Sequence, residues 1–337
     1  MLEKPDLPDQ RLLAGLRDGY GLRASQLVFL PLGVDINTAV YRAAAADDQQ
    51  YFVKLRRGPF DELSVAVPSF LAGVGLQQVI APLRTSAGQL AFRLDPYTLA
   101  LYPFVEGVDG YAAALTEQHW AALGAAIKRL HTVRLPPAIR RGLQRETYAS
   151  RYRQRVVAFQ ARLHGSRLAD SIAAELAALL QARAVEVRQL VDGAERLARA
   201  LQARPQVVVL CHADLHNGNL LLSPDGALHI VDWDTALLAP KERDLMFVGS
   251  GLRRAGDEAQ AAAWFYQGYG PAEIDPLALA YYRCERIVQD IDAFCAQILE
   301  TTEDSPDRRQ ALRFLMSQFE PHGVVDIALQ SYAAAWQ

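Results

Sequence analysis

The chain has 337 residues, 51% of them hydrophobic and 22% charged; this length exceeds that of a usual single domain and predicts two lobes with well-filled cores. The formal charge of −3 gives no general attraction to nucleic acid, and no uncharged apolar run of about eighteen residues predicts a membrane span, so neither partner is expected. The start MLEKPDLPDQ lacks the pattern of a secretory leader, and an odd number of cysteines, 3, favours reduced thiols, so a cytoplasmic protein is expected.

The N-terminal part of the chain predicts a small antiparallel sheet with one helix. Short apolar or alternating runs separated by turns are typical of strands, and Leu63 to Leu71 has the pattern of a helix. A turn with a single glycine, Leu32 to Thr38, separates the first two strands. The five predicted strands are Val28 to Leu30, Ala39 to Ala43, Tyr51 to Leu55, Leu90 to Leu94 and Leu99 to Phe104.

Lys54 is unusual on the third of these strands. The chain holds only 4 lysines among its 35 basic residues, so a lysine in a chain that prefers arginine indicates a position where a compact ammonium is needed. The alternative is a strand lysine that only discourages edge-to-edge aggregation. Glu62, at the start of the predicted helix, is the nearest candidate for an acidic partner, although an acidic residue there is also favoured by the helix dipole alone.

The segment Leu99 to Gly107 is predicted to join the two lobes. The predicted N-terminal lobe covers residues 1–102, the hinge residues 103–107 and a helical C-terminal lobe residues 108–337. Pro103 keeps its carbonyl and Val105 keeps its N–H, so this hinge retains one acceptor and one donor two residues apart.

The C-terminal part of the chain is predicted to be mostly helical. Thr116 and Glu117 mark a helix start, and the long stretch Ile172 to Leu201 has irregular heptads, which favours a bundle helix or a helical hairpin over a coiled coil. The predicted helices are Thr116 to His131, Tyr148 to Leu163, Ile172 to Leu201, Lys241 to Leu252, Glu258 to Tyr269, Pro276 to Glu300, Pro306 to Phe319 and Val324 to Trp336.

Between these helices lies a short β segment that carries the most informative motif. The β-branched run Gln206 to Cys211 predicts a strand, and HADLHNGN, His212 to Asn219, follows it directly. Two more apolar runs, Asn219 to Ser223 and Ala227 to Asp232, flank the turn sequence Pro-Asp-Gly and predict a hairpin. That hairpin folds Asp232 back toward Asn219.

The spacing of Asp214 and Asn219 is that of a phosphoryl-transfer loop, H-x-D-x-x-x-x-N. In such a loop the aspartate takes the proton of the attacking hydroxyl, the asparagine offers an amide oxygen to Mg²⁺, and a later carboxylate, here Asp232, holds Mg²⁺ against the nucleotide phosphates. On this hypothesis Lys54 binds ATP phosphates with Glu62 as its partner, the turn Leu32 to Thr38 covers them with backbone amides, and Pro103 and Val105 contact the base.

Two other readings of the loop remain open. His212 and His216 lie four apart, a spacing that binds zinc when a helix presents both rings on one face, whereas Asn-Gly-Asn favours a loop. The motif can also be a polar loop with ordinary turns, in which His212 packs to support the backbone near Asp214.

The acceptor is expected to be a small hydroxyl-bearing molecule, because the A-P-E motif of protein kinases is missing. Asp234 and Glu285 are candidates for contacting a cationic substrate through charge-assisted hydrogen bonds. Arg286 and Asp290 lie four apart on one predicted helix, and we expect them to pair with each other.

These motifs together resemble the aminoglycoside phosphotransferase family, and within it most closely the spectinomycin phosphotransferase branch. The closer likeness lies in APKERDLMF at 239–247 and YYRCERIVQDI at 281–291. The resemblance implies a protein-kinase-like α+β fold of two lobes, ATP and Mg²⁺ as cofactors, Asp214 as the catalytic base, Asn219 and Asp232 as magnesium ligands, and Lys54 as the phosphate-binding lysine.

The same resemblance implies O-phosphorylation of an aminocyclitol or aminoglycoside such as spectinomycin. One alternative is a kinase of another hydroxyl metabolite, such as an amino alcohol, methylthioribose or a sugar. A third possibility is a pseudokinase that binds nucleotide and serves as a scaffold. The sequence gives no oligomeric state.

Overall fold

The structure is a computed structural model that describes residues 2–33, 35–163, 170–248, 258–301 and 305–336. Its helices are α1 (Asp9–Tyr20), α2 (Leu63–Gly73), α3 (Glu117–Thr132), α4 (Pro137–Gly142), α5 (Arg151–Leu163), α6 (Ser171–Ala182), α7 (Ala184–Gln202), α8 (Glu242–Leu245), α9 (Glu258–Tyr269), α10 (Pro276–Leu299), α11 (Pro306–Gln318) and α12 (Val324–Ala334). Its strands are β1 (Ala24–Leu30), β2 (Thr38–Ala45), β3 (Gln50–Arg57), β4 (Phe92–Leu94), β5 (Tyr97–Pro103), β6 (Val108–Asp109), β7 (Val209–Cys211), β8 (Leu220–Leu222), β9 (Leu228–Ile230) and β10 (Leu237–Ala239).

The chain divides into two compact units. The first contains the residues up to Leu143 together with His212–Ala236, and the second contains Gln144–Cys211 and the residues from Leu237 onward. The motif HADLHNGN and the hairpin after it therefore belong to the same unit as the N-terminal sheet. The lobe boundaries at residues 102 and 108 stay a prediction, and they differ from this division.

The first unit is built on the predicted five-stranded antiparallel sheet, which is confirmed with the strand order β1-β2-β3-β5-β4. In its register Lys54 lies opposite Val40 on β2 and Ala100 on β5. Directly opposed residues of antiparallel strands point to the same side of a sheet, so these three side chains share one face.

The other face of this sheet packs against α1, a helix that the sequence analysis did not predict. Leu12 and Leu16 of α1 are buried in one core with Val53, Leu55 and other sheet residues. The helix ends at Gly21, whose φ of 67° is the left-handed conformation typical of a glycine after a helix. Lys54 therefore lies on the face of the sheet opposite to α1.

The second unit is a helical bundle around α10. Helices α5, α7, α11 and α12 all contact α10, and their buried side chains form one hydrophobic core. The predicted stretch Ile172 to Leu201 is two helices, α6 and α7, that meet at Arg183. The predicted helix Lys241 to Leu252 corresponds in part to α8, which is a single short helical turn. Residues 249–252 of that prediction lie outside the described residues.

The fold class is α+β and protein-kinase-like, as predicted. A two-stranded pair, β7 with β10, completes the second unit, and β6, β8 and β9 form a small sheet in the first. None of the helices in the described ranges is both long and apolar enough to span a membrane.

Candidate active site

The predicted hairpin forms the frame of the candidate site. β8 and β9 pair in register from Leu220 opposite Ile230 to Leu222 opposite Leu228. Beyond the ladder, the N–H of Val231 donates to the carbonyl of Asn219 at 3.0 Å. Asp232, the next residue, is therefore held beside the end of the loop that begins at His212.

His212 ties the loop to the hairpin from inside the core, where it is fully buried. Its Nδ1 accepts from the N–H of Asp214 at 3.3 Å, and its Nε2 lies 3.0 Å from the carbonyl of Val231. The Trp233 ring packs edge-on against it at 4.6 Å. Since both ring nitrogens are engaged with the backbone, this arrangement supports the interpretation of His212 as a packed loop residue and not the zinc interpretation.

Two residues of the site adopt positive φ without being glycine. Ala213, directly before Asp214, has φ 71°, and Asp232 has φ 63°. Such conformations cost on the order of 1–3 kcal/mol each and persist where the surrounding structure enforces them. The backbone is thus strained directly before the candidate base Asp214 and at the candidate metal ligand Asp232. In both places the strained conformation helps to set the position of a carboxylate.

Asp214 and Asn219 are in direct contact. The side-chain nitrogen of Asn219 donates to the backbone carbonyl of Asp214 at 2.8 Å and lies 3.4 Å from its Oδ2. With its nitrogen turned to Asp214, Asn219 has its amide oxygen Oδ1 available to a cation. An amide oxygen and the Asp232 carboxylate form the hard oxygen donor set that Mg²⁺ prefers, so the residues present fit this ion.

Lys54 is bound by both carboxylates of the Asp-Trp-Asp motif. Its Nζ lies 2.9 Å from Oδ1 of Asp232 and 2.8 Å from Oδ1 of Asp234. Burial alone would lower the pKa of Lys54, but the charges of these two carboxylates outweigh it and raise the pKa. The lysine is charged at any physiological pH and is therefore suited to bind phosphate.

The two carboxylates differ in their own ionisation. Burial tends to raise the pKa of both, and Lys54 opposes it; the outcome is a lowered pKa at Asp232 and a raised one at Asp234. Asp232 is thus the better candidate for a permanent anionic metal ligand. Asp234, which the sequence suggested as a substrate contact, is placed by the structure at Lys54.

Glu62 does not take the predicted place. Glu62 is the N-cap residue of α2. Among the described residues, Lys54 forms ion pairs with Asp232 and Asp234 only. The Asp-Trp-Asp turn supplies the charge instead.

The turn between β1 and β2 stays a prediction as a phosphate cover. Val34 lies outside the described residues, while the side chain of Asp35 accepts from the N–H of Asn37 and the hydroxyl of Thr38, both at 2.9 Å. Asp35 is further ion-paired with Arg56. The amide of Asn37 is therefore engaged within the turn itself.

The Lys54 face of the sheet is apolar around the lysine. Val40 and Ala100 flank the lysine, and Phe52 packs edge-on against Tyr102 with ring centroids 6.3 Å apart. β5 ends at Pro103, the N–H of Phe104 donates to Gln50, and the N–H of Val105 makes no hydrogen bond to another described residue. A planar base on this face has a free donor in the predicted hinge.

Glu285 lies in the second unit, on α10, and is buried in an ion pair. Its Oε2 accepts from Nη1 of Arg153 at 2.5 Å, and both side chains are at most 3% exposed. Burial raises the pKa of Glu285 to about 7, with Arg153 acting in the opposite direction. The structure thus gives Glu285 an internal partner, and Arg286 and Asp290 pair with each other as expected.

His216 and Tyr111 lie near the candidate base Asp214, although the sequence did not predict them as site residues. Nε2 of His216 lies 3.7 Å from Oδ2 of Asp214, and the ring of His216 stacks on that of Tyr111. The histidine was visible in the motif, two residues after Asp214. Tyr111 carries no sequence signal, because more than one hundred residues separate it from the loop it contacts.

A family model described as the phosphotransferase enzyme family matches residues 29–279. This chain belongs to the phosphotransferase enzyme family. The match includes Lys54, the HADLHNGN loop and the Asp-Trp-Asp motif, so the family assignment and the site geometry concern the same part of the molecule. The chain is therefore an enzyme, a kinase with a hydroxyl acceptor.

Solved structures give the same result over the whole length of this phosphotransferase. A spectinomycin phosphotransferase in complex with ADP and spectinomycin is 30% identical, with 97% of this chain and 99% of that chain covered and a TM-score of 0.89. Its AMP-bound complex is also 30% identical, with 95% and 97% covered and a TM-score of 0.84.

A microcompartment-associated aminopropanol kinase is 14% identical, with 97% of this chain and 98% of that chain covered and a TM-score of 0.60. That likeness shows the fold alone. No functionally curated protein matches this phosphotransferase in sequence.

Proposed function

We propose that this phosphotransferase moves the γ-phosphoryl group of ATP to a hydroxyl of an aminocyclitol of the spectinomycin type. The observation that carries the proposal is the ion pair between Lys54 and Asp232, in the unit that also contains Asp214 and Asn219. One cation for phosphate, two oxygen donors for Mg²⁺ and one carboxylate for a proton are the parts that phosphoryl transfer needs.

Each side chain has one task in this reaction. Asp214 orients the acceptor hydroxyl and accepts its proton as the new O–P bond forms; the bond from the γ-phosphorus to the bridging oxygen breaks, and ADP leaves. Lys54 binds the phosphate oxygens through its ammonium. Asn219 and Asp232 would hold Mg²⁺, which neutralises phosphate charge when bound.

The choice of acceptor rests on the relative that binds spectinomycin. An identity of 30% over 97% of this chain extends the likeness beyond the shared kinase motifs to the second unit. The three cysteines are free and buried, which supports a reducing, cytoplasmic location. A cationic acceptor agrees with the acidic side chains of the site.

An acceptor screen tests the proposal. Purified protein, ATP and Mg²⁺ are incubated with spectinomycin, an aminopropanol, methylthioribose or a sugar, and ADP release and product mass are measured. Phosphorylated spectinomycin is the expected result, and Asp214→Asn should abolish it. Phosphorylation of one of the other compounds instead would identify that metabolite as the acceptor. Nucleotide binding without any product would indicate a scaffold.

A further inference from the structure

The segment after the predicted hinge is fixed against the catalytic loop. β6 pairs with β8, and the N–H of Gly110 is shared between the carbonyls of Asn217 at 3.0 Å and Leu220 at 2.9 Å. Oδ1 of Asp109 accepts from the N–H groups of Tyr111 and Ala112, both at 2.9 Å. Hydrogen bonds therefore hold the backbone at Tyr111 and at the residues before and after it, Gly110 and Ala112.

Two glycines permit this close approach. A Cβ at Gly107 would lie 2.5 Å from the carbonyl oxygen of Leu222, a distance that real Cβ atoms do not adopt. A Cβ at Gly218 would lie 2.8 Å from the ring of His216 and 3.2 Å from the ring of Tyr111. The bare backbone at these points lets the two rings stack over the catalytic loop.

The stack connects Tyr111 to the candidate base. Its ring centroid lies 6.1 Å from that of His216, with 23° between the ring planes. Nδ1 of His216 accepts from the N–H of Gly218 at 3.0 Å, and its Nε2 lies 3.7 Å from Oδ2 of Asp214. One imidazole ring separates Tyr111 from the reacting carboxylate.

Despite this anchoring, 65% of the Tyr111 side chain is exposed. One face of the ring lies on His216, so the exposed surface includes the opposite face. An exposed tyrosine in itself is ordinary, but here the ring stacks on His216 next to the candidate base, and its backbone is hydrogen-bonded at Asp109. Rigid aromatic faces contribute binding area at low cost in conformational entropy.

We infer that Tyr111 is a specificity-determining residue of this enzyme, whose open face receives an amine-bearing part of the acceptor next to the hydroxyl that is phosphorylated. The inference rests on the proposed function and names a residue for it. An ammonium over a tyrosine face is attracted by the ring electrons, and the nearby carboxylates of Asp109 and Asp214 add their negative potential.

The test measures binding of spectinomycin to the full chain by calorimetry in the presence of ADP. Tyr111→Leu should weaken binding about tenfold, because the cation–π contact is lost, while Tyr111→Phe should stay within about threefold of the wild type. Asp109→Asn keeps the turn hydrogen bonds but removes a charge, and it should weaken binding several-fold. Phe314→Leu, at an aromatic on α11 that is 41% exposed, serves as the matched control.

A neutral polyol, myo-inositol, separates recognition of the amine from general damage. Tyr111→Leu should change its binding less than that of spectinomycin. Unchanged spectinomycin binding in Tyr111→Leu, an equal loss in Tyr111→Phe, or a wild-type protein that does not bind spectinomycin would each overturn the inference.

Two outcomes distinguish a failure of this inference from a failure of the proposed function. Phosphorylation of spectinomycin with unchanged affinity in Tyr111→Leu would leave the proposed function standing and remove the role of Tyr111. Binding of spectinomycin that depends on Tyr111, without phosphate transfer to any acceptor, would leave the role of Tyr111 standing and remove the proposed function.

Discussion

The ammonium of Lys54 lies 2.8 Å from Oδ1 of Asp234, the second acidic residue of the Asp-Trp-Asp motif. Asp234 is 34% exposed in its side chain and follows Asp232 in a short 3₁₀ turn, so the motif binds the lysine with both of its carboxylates. Asp234 would therefore keep its ion pair with Lys54 if Asp232 bound a metal ion.

Asp234→Asn should therefore affect the nucleotide more than the acceptor. Losing the charge-assisted hydrogen bond leaves Lys54 less well positioned, and the KM for ATP should rise about tenfold. Steady-state kinetics with each substrate varied in turn measures the effect. Glu62→Gln is the matched control, and an increase in KM for ATP in that variant alone would indicate that Glu62 becomes the partner in the nucleotide complex.

Asp214→Asn should separate binding from chemistry. The asparagine is isosteric and cannot accept the proton of the acceptor hydroxyl, so kcat should fall by about a hundredfold or more, while affinity for ADP is retained. Calorimetric titration with ADP and a turnover assay give the two numbers. Asp225→Asn, in the hairpin turn, is the control for removing an acidic residue nearby, and full turnover in Asp214→Asn would disprove the base assignment.

Val105→Pro should weaken binding of ATP and leave the fold intact. The N–H of Val105 makes no hydrogen bond to another described residue, so its removal breaks no hydrogen bond of the free protein, while a base bound at the hinge loses its donor. The expected loss in affinity for ADP is about tenfold. Val105→Ala keeps the N–H and should bind ADP as the wild type does; equal affinities for all three proteins would exclude this hinge contact.

Local patterns were sufficient to predict the sheet, the hairpin and the loop. Three features were predicted: the strand of Lys54 with its neighbouring strands, the Pro-Asp-Gly turn, and the loop with Asp214 and Asn219. Each of them is determined by residues that lie close together in the sequence, so short-range preferences decide it. The start of α3 at Thr116 was predicted for the same reason, and its capping box is present.

Pairings across long distances in sequence were not predictable in this way. The partner of Lys54 is 178 residues away at Asp232, and sequence proximity favoured Glu62 instead. Glu285 and Arg153 are separated by 132 residues, so no local pattern indicated the buried ion pair between them. Helix α1 was missed because its apolar positions, such as Leu12 and Leu16, are few among charged residues.

Glu285→Ala should destabilise the protein. It would leave the guanidinium of Arg153, which is 3% exposed, without its closest carboxylate, although Glu195 remains 3.0 Å from Nε. A loss of about 3 kcal/mol in the free energy of unfolding is expected. Glu285→Gln resembles the protonated carboxyl and should cost less. Urea unfolding measures both, and the KM for the acceptor in Glu285→Gln tests the substrate role that the sequence suggested; an increase there with unchanged stability would restore it.

The acid sensitivity of the hairpin should depend on His229. This residue lies on β9 opposite Leu221, and its Nδ1 is buried without a hydrogen-bond partner among the described residues. Burial lowers the pKa of His229 below its usual 6.5, against the opposing charge of Asp225. Between the lowered pKa and 6.5 the unfolded chain binds more protons at this site than the folded chain does, so stability falls as the pH falls through this window.

The contribution is at most about 1.4 kcal/mol per pH unit, and it is isolated by comparing variants. His229→Leu should lose less of its free energy of unfolding than the wild type between pH 7 and pH 5.5, a range that contains the usual histidine pKa of 6.5. His322→Asn, at an exposed histidine outside the hairpin, should follow the wild type. Urea unfolding at the two pH values decides, because equal losses in all three proteins would show that His229 titrates alike in the folded and unfolded states.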